Sequence, residues 1–276
     1  MLIPRSVGPQ KNGLKPMDNS CETAPVPPES QTPAMPLMAR LANVFAVPGD
    51  VFDAVRAMPS SAANWLLPAF ILLVMSWISV SIIFSQDSLR HQLDELVSAP
   101  LEKQVAAQHM TEQQVDQMRS LTRVISQISM VAGPVFASFA TPFWWGLILW
   151  LVGAKGFKAG FGYLKAVEAA GLASMISALD VLVKTLLILG MNNLFASPSL
   201  ALFLKQFDPQ NPAHSLLAIL NLMTFWRLAV LSIALARLSR VSFTKAALWV
   251  YGIWAAGMGL TLGVGILGRA LTQMAR

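Results

Sequence analysis

The chain has 276 residues, 55% of them hydrophobic and only 12% charged, with a mean hydropathy of +0.56. A typical soluble domain is about 25% charged, and most of any folded surface must still face water, so the composition excludes an ordinary soluble domain and points to lipid as the solvent. The formal net charge of +6 arises from 20 Lys and Arg against 14 Asp and Glu; these cations are scattered over short connections, which argues against nucleic acid as a partner and fits residues that flank membrane spans.

Residues 1–38 carry eight of the 17 prolines, mixed with Ser, Gln and Glu, and read as a disordered tail. The opening MLIPRSVGPQKNG lacks the apolar core of a signal peptide. Cys21 is the single cysteine, so no internal disulfide or cysteine metal cluster is expected, and it reads as a free thiol in that tail. Residues 39–64 form the next unit. Within it Leu41, Val44 and Phe45, then Val51, Phe52 and Val55, recur at helical spacing around Pro48–Gly49. Two short amphipathic helices are expected there. They lie on the membrane surface, or pack beneath the spans as protein core; the two arrangements are compatible.

A membrane domain is expected over 65–268, with apolar spans at about 65–84, 130–153, 169–190, 216–236 and 246–267. Each is long enough to cross a ~30 Å hydrocarbon core. Between the first two, residues 85–129 read as a helical loop outside the membrane. Ser98 and Pro100 mark a fresh helix start there, and Thr111 with Gln114 forms a capping-box pattern before a stretch that runs toward span two. Two basic connections, 154–168 and 237–245, hold Lys155, Lys158, Lys165, Arg237, Arg240 and Lys245 against one acid, Glu168. The other two, 85–129 and 191–215, hold five basic and seven acidic residues over nearly three times the length. The positive-inside rule puts the basic pair in the cytoplasm, with the N-terminus inside and the C-terminus outside.

Little in the sequence points to catalysis. His91, His109 and His214 all fall in the outer loops, so no span carries the base of a Ser–His protease. There is no H-E-x-x-H pair, no phosphate-cradling glycine loop and no pair of intramembrane carboxylates. Small residues recur every four positions: Gly133, Ala137 and Thr141 in span two, Ala166, Ala170, Ser174 and Ala178 in span three, and Ala255, Gly259 and Gly263 in span five. Such stripes let helix backbones approach and predict a compact bundle.

The intramembrane charges stand out most. Asp180 and Lys184 lie one turn apart on one face of span three, and Arg227 lies at similar depth in span four. Each costs ~2.5–3.5 kcal/mol at mid-membrane on insertion scales. One account is a paired cluster in which Asp180 bridges both cations and fixes helix register. Another is a polar pathway or a seat for an anionic headgroup. In a third, Lys184 simply snorkels outward.

RLANVFAVPGDVFDAVRAMPSSAANWLLP before the first span resembles bacterial members of the Yip family, the Yip-one domain of Ypt/Rab-interacting membrane proteins. So do EKQVAAQHMTEQQVDQ in the outer loop, KAVEAAGLASMISAL opening span three and FDPQNP before span four; the similarity covers about residues 38–268. The resemblance implies five spans, a cytoplasmic N-terminus and, for eukaryotic members, binding of Rab-type GTPases. The family's Gly-Tyr motif corresponds to Gly162–Tyr163. Its Asp-Leu-Tyr-Gly-Pro motif is absent, which argues against a GTPase partner here. The expectation is therefore an all-α, five-span protein of a bacterial inner membrane, without catalytic residues, cofactor or metal. Its partners would be membrane lipids and another membrane or peripheral protein, and its role that of a membrane-organising or interaction scaffold. The alternative is a subunit of a transporter or ion-permeation pathway built on Asp180, Lys184 and Arg227.

Overall fold

Pro48 opens the second helix of the chain at the position where its missing N–H costs nothing. Asp50 in the first turn and Arg56 in the last complement that helix's dipole. Met58, held extended before Pro59, ends it. This is α2 (Pro48–Ala57), preceded by the short α1 (Leu37–Asn43). The structure, a computed structural model, describes residues 35–108, 112–204, 206–209 and 211–274; most of the expected disordered tail lies outside them. In α1, α2 and the turn that joins them, Leu41, Val44, Val51, Phe52 and Val55 are all buried. Both helices therefore pack into the protein core, whatever part of their surface also meets the membrane.

The remaining helices are α3 (Ala63–Phe84), α4 (Asp87–Gln108), α5 (Glu112–Leu151), α6 (Tyr163–Ala173), α7 (Met175–Met191), α8 (Pro212–Ile219), α9 (Leu222–Ser239) and α10 (Phe243–Met274). A π-helical turn, Val152–Gly156, ends α5, and a 3-10 turn, Leu200–Phe203, precedes α8. Five helical segments are long and apolar enough to cross a membrane: Ala63–Phe84, Gln113–Gly156, Tyr163–Met191, Leu222–Ser239 and Phe243–Gly265. No strand occurs among the described residues.

The boundaries depart from the sequence reading in three places, at α4, span three and span four. Helix α4 runs through Ser98–Pro100 without a restart. The expected cap at Thr111 lies outside the described residues, but α5 begins directly after it at Glu112 and continues unbroken through the apolar run. Its 40 residues measure about 60 Å at 1.5 Å per residue, roughly twice a hydrocarbon core, so α5 is longer than a single crossing needs. Span three starts at Tyr163 rather than Ala169, and it turns at Ser174, where α6 passes into α7. Span four is split: α8 stops at Ile219, and Asn221 caps a new helix by accepting from the Met223 and Thr224 N–H groups at 2.8 and 3.2 Å.

Helix α6 sits at the centre, against α5, α3 and α9. Two glycines allow this. A side chain at Gly171 would collide with the backbone of Trp65, and one at Gly146 would lie 2.9 Å from the Val167 Cα. Of the three small-residue stripes, only that of span three is buried; Gly133 and Ala137 in α5, and Ala255, Gly259 and Gly263 in α10, face outward. Four-residue spacing tells that a backbone can be approached, but not that anything approaches it.

Candidate functional site

Within the spans, Lys184 Nζ lies 2.8 Å from Asp180 Oδ2, as their one-turn spacing on α7 requires. Lys184 reaches outward and Asp180 is the more enclosed partner. Arg227 on α9 is held differently. Its Nη1 donates to Ser177 Oγ at 3.2 Å, and its guanidinium lies 5.9 Å from the centroid of the Trp145 ring, in range of a cation–π contact. Among the described residues no carboxylate comes within 4.0 Å of Arg227, so the expected bridge from Asp180 to both cations is not formed. Asp180 Oδ1 and Arg227 Nε are both buried and make no hydrogen bond to protein. Geometry is the reason: Asp180 spends its reach along its own helix, while Arg227 turns toward α5 and Ser177.

The six basic-loop residues are dispersed. Lys155 lies in the π turn and Lys158 just beyond it. Lys165 is on the first turn of α6, Arg237 on the last turn of α9, Arg240 at its end and Lys245 on the first turn of α10. Lys165 is not a loop residue open to partners. Its side chain is largely enclosed, its ammonium donating to Met58 O at 2.9 Å and pairing with Glu168 Oε1 at 3.2 Å.

Glu168 is what the sequence reading missed. It is 1% exposed, and three donors converge on it. Ser61 N donates to Oε1 at 3.0 Å, Asn64 Nδ2 to Oε2 at 2.7 Å, and Lys165 reaches both oxygens. Arg40 is buried nearby; burial pushes its guanidinium below the usual arginine value, and the attraction of Glu168 partly restores it. The signal was present as a Lys-x-x-Glu pair at the head of an apolar helix. It was obscured because the charged residues were assigned to the preceding loop. Together these contacts tie the α2–α3 connection to α6.

A second knot joins α2 to α9. Arg56 Nη1 donates to Arg237 O at 2.6 Å, and Asp53 pairs with Arg237 at 3.0 Å and with Arg56 at 3.4 Å. An open groove of about 560 Å³ runs beside it.

With this geometry in place, the family model of the Yip1 domain matches residues 42–264. The chain belongs to the Yip1 domain family. No curated protein and no solved structure matches it. The matched stretch of the Yip1 domain takes in α2 through most of α10, hence Glu168, Lys165, Asp180, Lys184 and Arg227, and leaves Arg40 just outside. The Gly162–Tyr163 pair stands at the start of α6: Gly162 is extended, and the Tyr163 hydroxyl donates to Phe143 O at 3.2 Å. With its five apolar helices, the Yip1 domain is that of a membrane protein.

Proposed function

We propose that this Yip1 domain protein is a non-catalytic scaffold that organises a bacterial inner membrane or docks another protein on it, with the basic end of the bundle in the cytoplasm. The observation that carries the reading is the convergence of Met58, Ser61 and Asn64 on the Lys165–Glu168 pair. It makes the α2–α3 connection and the head of α6 one fixed platform, and it uses the buried Glu168 for structure rather than chemistry. Lys155, Lys158 and Lys245 are exposed at the same basic end of the bundle, a surface suited to an acidic protein face. Nothing in this reading calls for a cofactor or a Rab-type GTPase.

The test is affinity capture of the full chain from its own membranes in mild detergent. A protein partner should be recovered with the wild type and lost when Lys155, Lys158 and Lys245 are replaced by Gln. A second reading, a subunit of a transporter or ion pathway, draws on Asp180 Oδ1 and Arg227 Nε, atoms of charged groups within the spans that make no hydrogen bond among the described residues. Reconstituted vesicles separate the two: ion or solute flux abolished by Asp180→Asn overturns the scaffold, whereas a scaffold tolerates that change with reduced stability at most.

A further inference from the structure

The groove beside the Asp53–Arg237 knot has a lining that neither packing nor the scaffold reading uses. Its rim is cationic, formed by Arg56 from α2 and by Arg237 and Arg240 from the end of α9. Ile233, Ala236 and Phe243 give it an apolar wall, and Phe243 is half exposed at the start of α10. Gly49 lies under the Arg237 guanidinium: a Cβ there would stand 2.9 Å from Nη2, so glycine leaves that side open for the cation to settle.

Charge in the groove does not balance. Asp53 is the acid that Arg56 and Arg237 share. Asp50, the other acid of α2, is outside the lining. Among the described residues, Arg240 makes no ion pair or side-chain hydrogen bond. Its backbone is held in the left-handed region at φ 55°, ψ 40°, a conformation that favours glycine. A charged residue thus occupies a position where the backbone alone would prefer none.

We propose that this groove holds the phosphate-bearing headgroup of an anionic membrane phospholipid, with Arg240 and Arg237 on the phosphate and the glycerol end of an acyl chain against Ile233 and Phe243. Three cations against the one carboxylate of Asp53 leave a net charge of +2, which attracts the single negative charge of a phosphodiester, and guanidinium forks suit its oxygens. The apolar wall continues into α9 and α10, which are apolar enough to cross a membrane, so an amphiphile fits where a free anion would use only the rim. The site does not depend on a protein partner and stands or falls apart from the scaffold reading.

The experiment uses the full chain in nanodiscs of phosphatidylcholine, with and without phosphatidylglycerol, read by native mass spectrometry for retained lipid and by melting temperature. Phosphatidylglycerol should be retained over phosphatidylcholine and should raise the melting temperature, because a ligand that binds only the folded state stabilises it. Arg240→Gly removes the cation while relieving the left-handed backbone. It should melt no lower than wild type in phosphatidylcholine, yet retain phosphatidylglycerol about fivefold less, as expected for one cation near the membrane surface. Lys158→Gly is the matched control, since Lys158 also has φ 55° but does not line the groove; it should retain the lipid as wild type does. Equal retention by Arg240→Gly and wild type overturns the proposal. So does an equal loss in Lys158→Gly, which would mean diffuse surface attraction, or a full melting shift from inorganic phosphate alone, which would mean a soluble anion.

Discussion

At the basic end of the bundle, Val44, Val51, Phe52 and Val55 are fully buried beneath α6 and α9, and Lys165, Asn64 and the Ser61 N–H converge on the buried Glu168 carboxylate. At the other end of α3 and α7 the buried cluster comprises Leu89, Ile188 and Ala196, and the polar joint is made of neutral groups. Ser88 Oγ donates to Asn192 Oδ1, and Gln92 brackets the Asn192–Leu194 turn. The difference follows from solvent. Where α1 and α2 fold against α6 and α9, outside the apolar spans, apolar side chains gain by escaping water. Along the apolar spans, the outward residues of α5 and α10 gain nothing by leaving lipid for protein, so packing there depends on close backbone fit. A structure built this way should be far more sensitive to change at the basic end.

The largest expected effect tests that directly. Phe52 is fully buried, whereas Phe136 on α5 is 76% exposed. Phe52→Ala should cost about 3–5 kcal/mol, the usual loss for a large core aromatic, seen as a lower melting temperature in detergent and as protease cleavage around α2. Phe136→Ala should change stability by no more than about 0.5 kcal/mol. Equal losses would mean that the two ends are packed alike.

A smaller effect sharpens the role of charge. Glu168→Gln keeps the shape and one acceptor but removes the ionic partner of Lys165 and one of the bonds from Ser61 and Asn64. Hydrogen bonds to charged groups contribute about 1.5–3 kcal/mol each, and a loss of that size in thermal unfolding is expected. It should be insensitive to added salt, because the pair is shielded from solvent. A loss that disappears at high salt would show the pair to be solvated.

How much of this was legible beforehand depended on how local the cause was. The five apolar runs were readable because a span of fixed thickness needs about 20 apolar residues wherever it occurs. The Asp180–Lys184 pair was readable because helix geometry alone brings i and i+4 together. Glu168 was not, since its burial depends on Asn64 and Ser61, more than 100 positions away in the chain. Arg227 shows both sides. Its depth followed from hydropathy, but its partners Ser177 and Trp145 come from two other helices, and periodicity carries no information about them. Breaks at Ser174 and Leu220–Asn221 fall inside apolar stretches, where composition does not change although the hydrogen-bond pattern does.

The smallest effect lies at the opposite end. Gln92 donates through Nε2 to Asn192 O at 2.9 Å and accepts from Leu194 N at 3.2 Å, so one neutral side chain closes the turn after α7. Asn192 is itself left-handed, at φ 48°, which suits Asn better than most residues. Gln92→Ala leaves both backbone groups without this partner. They lie near solvent and can turn to water, so the expected cost is about 0.5–1.5 kcal/mol rather than that of a buried orphan. Hydrogen exchange should show where it falls: faster exchange at Asn193 and Leu194, with the amides of α2 and α6 unchanged. If α2 also lost protection, the two ends would be energetically coupled, and the contrast between them would be one of appearance rather than of stability.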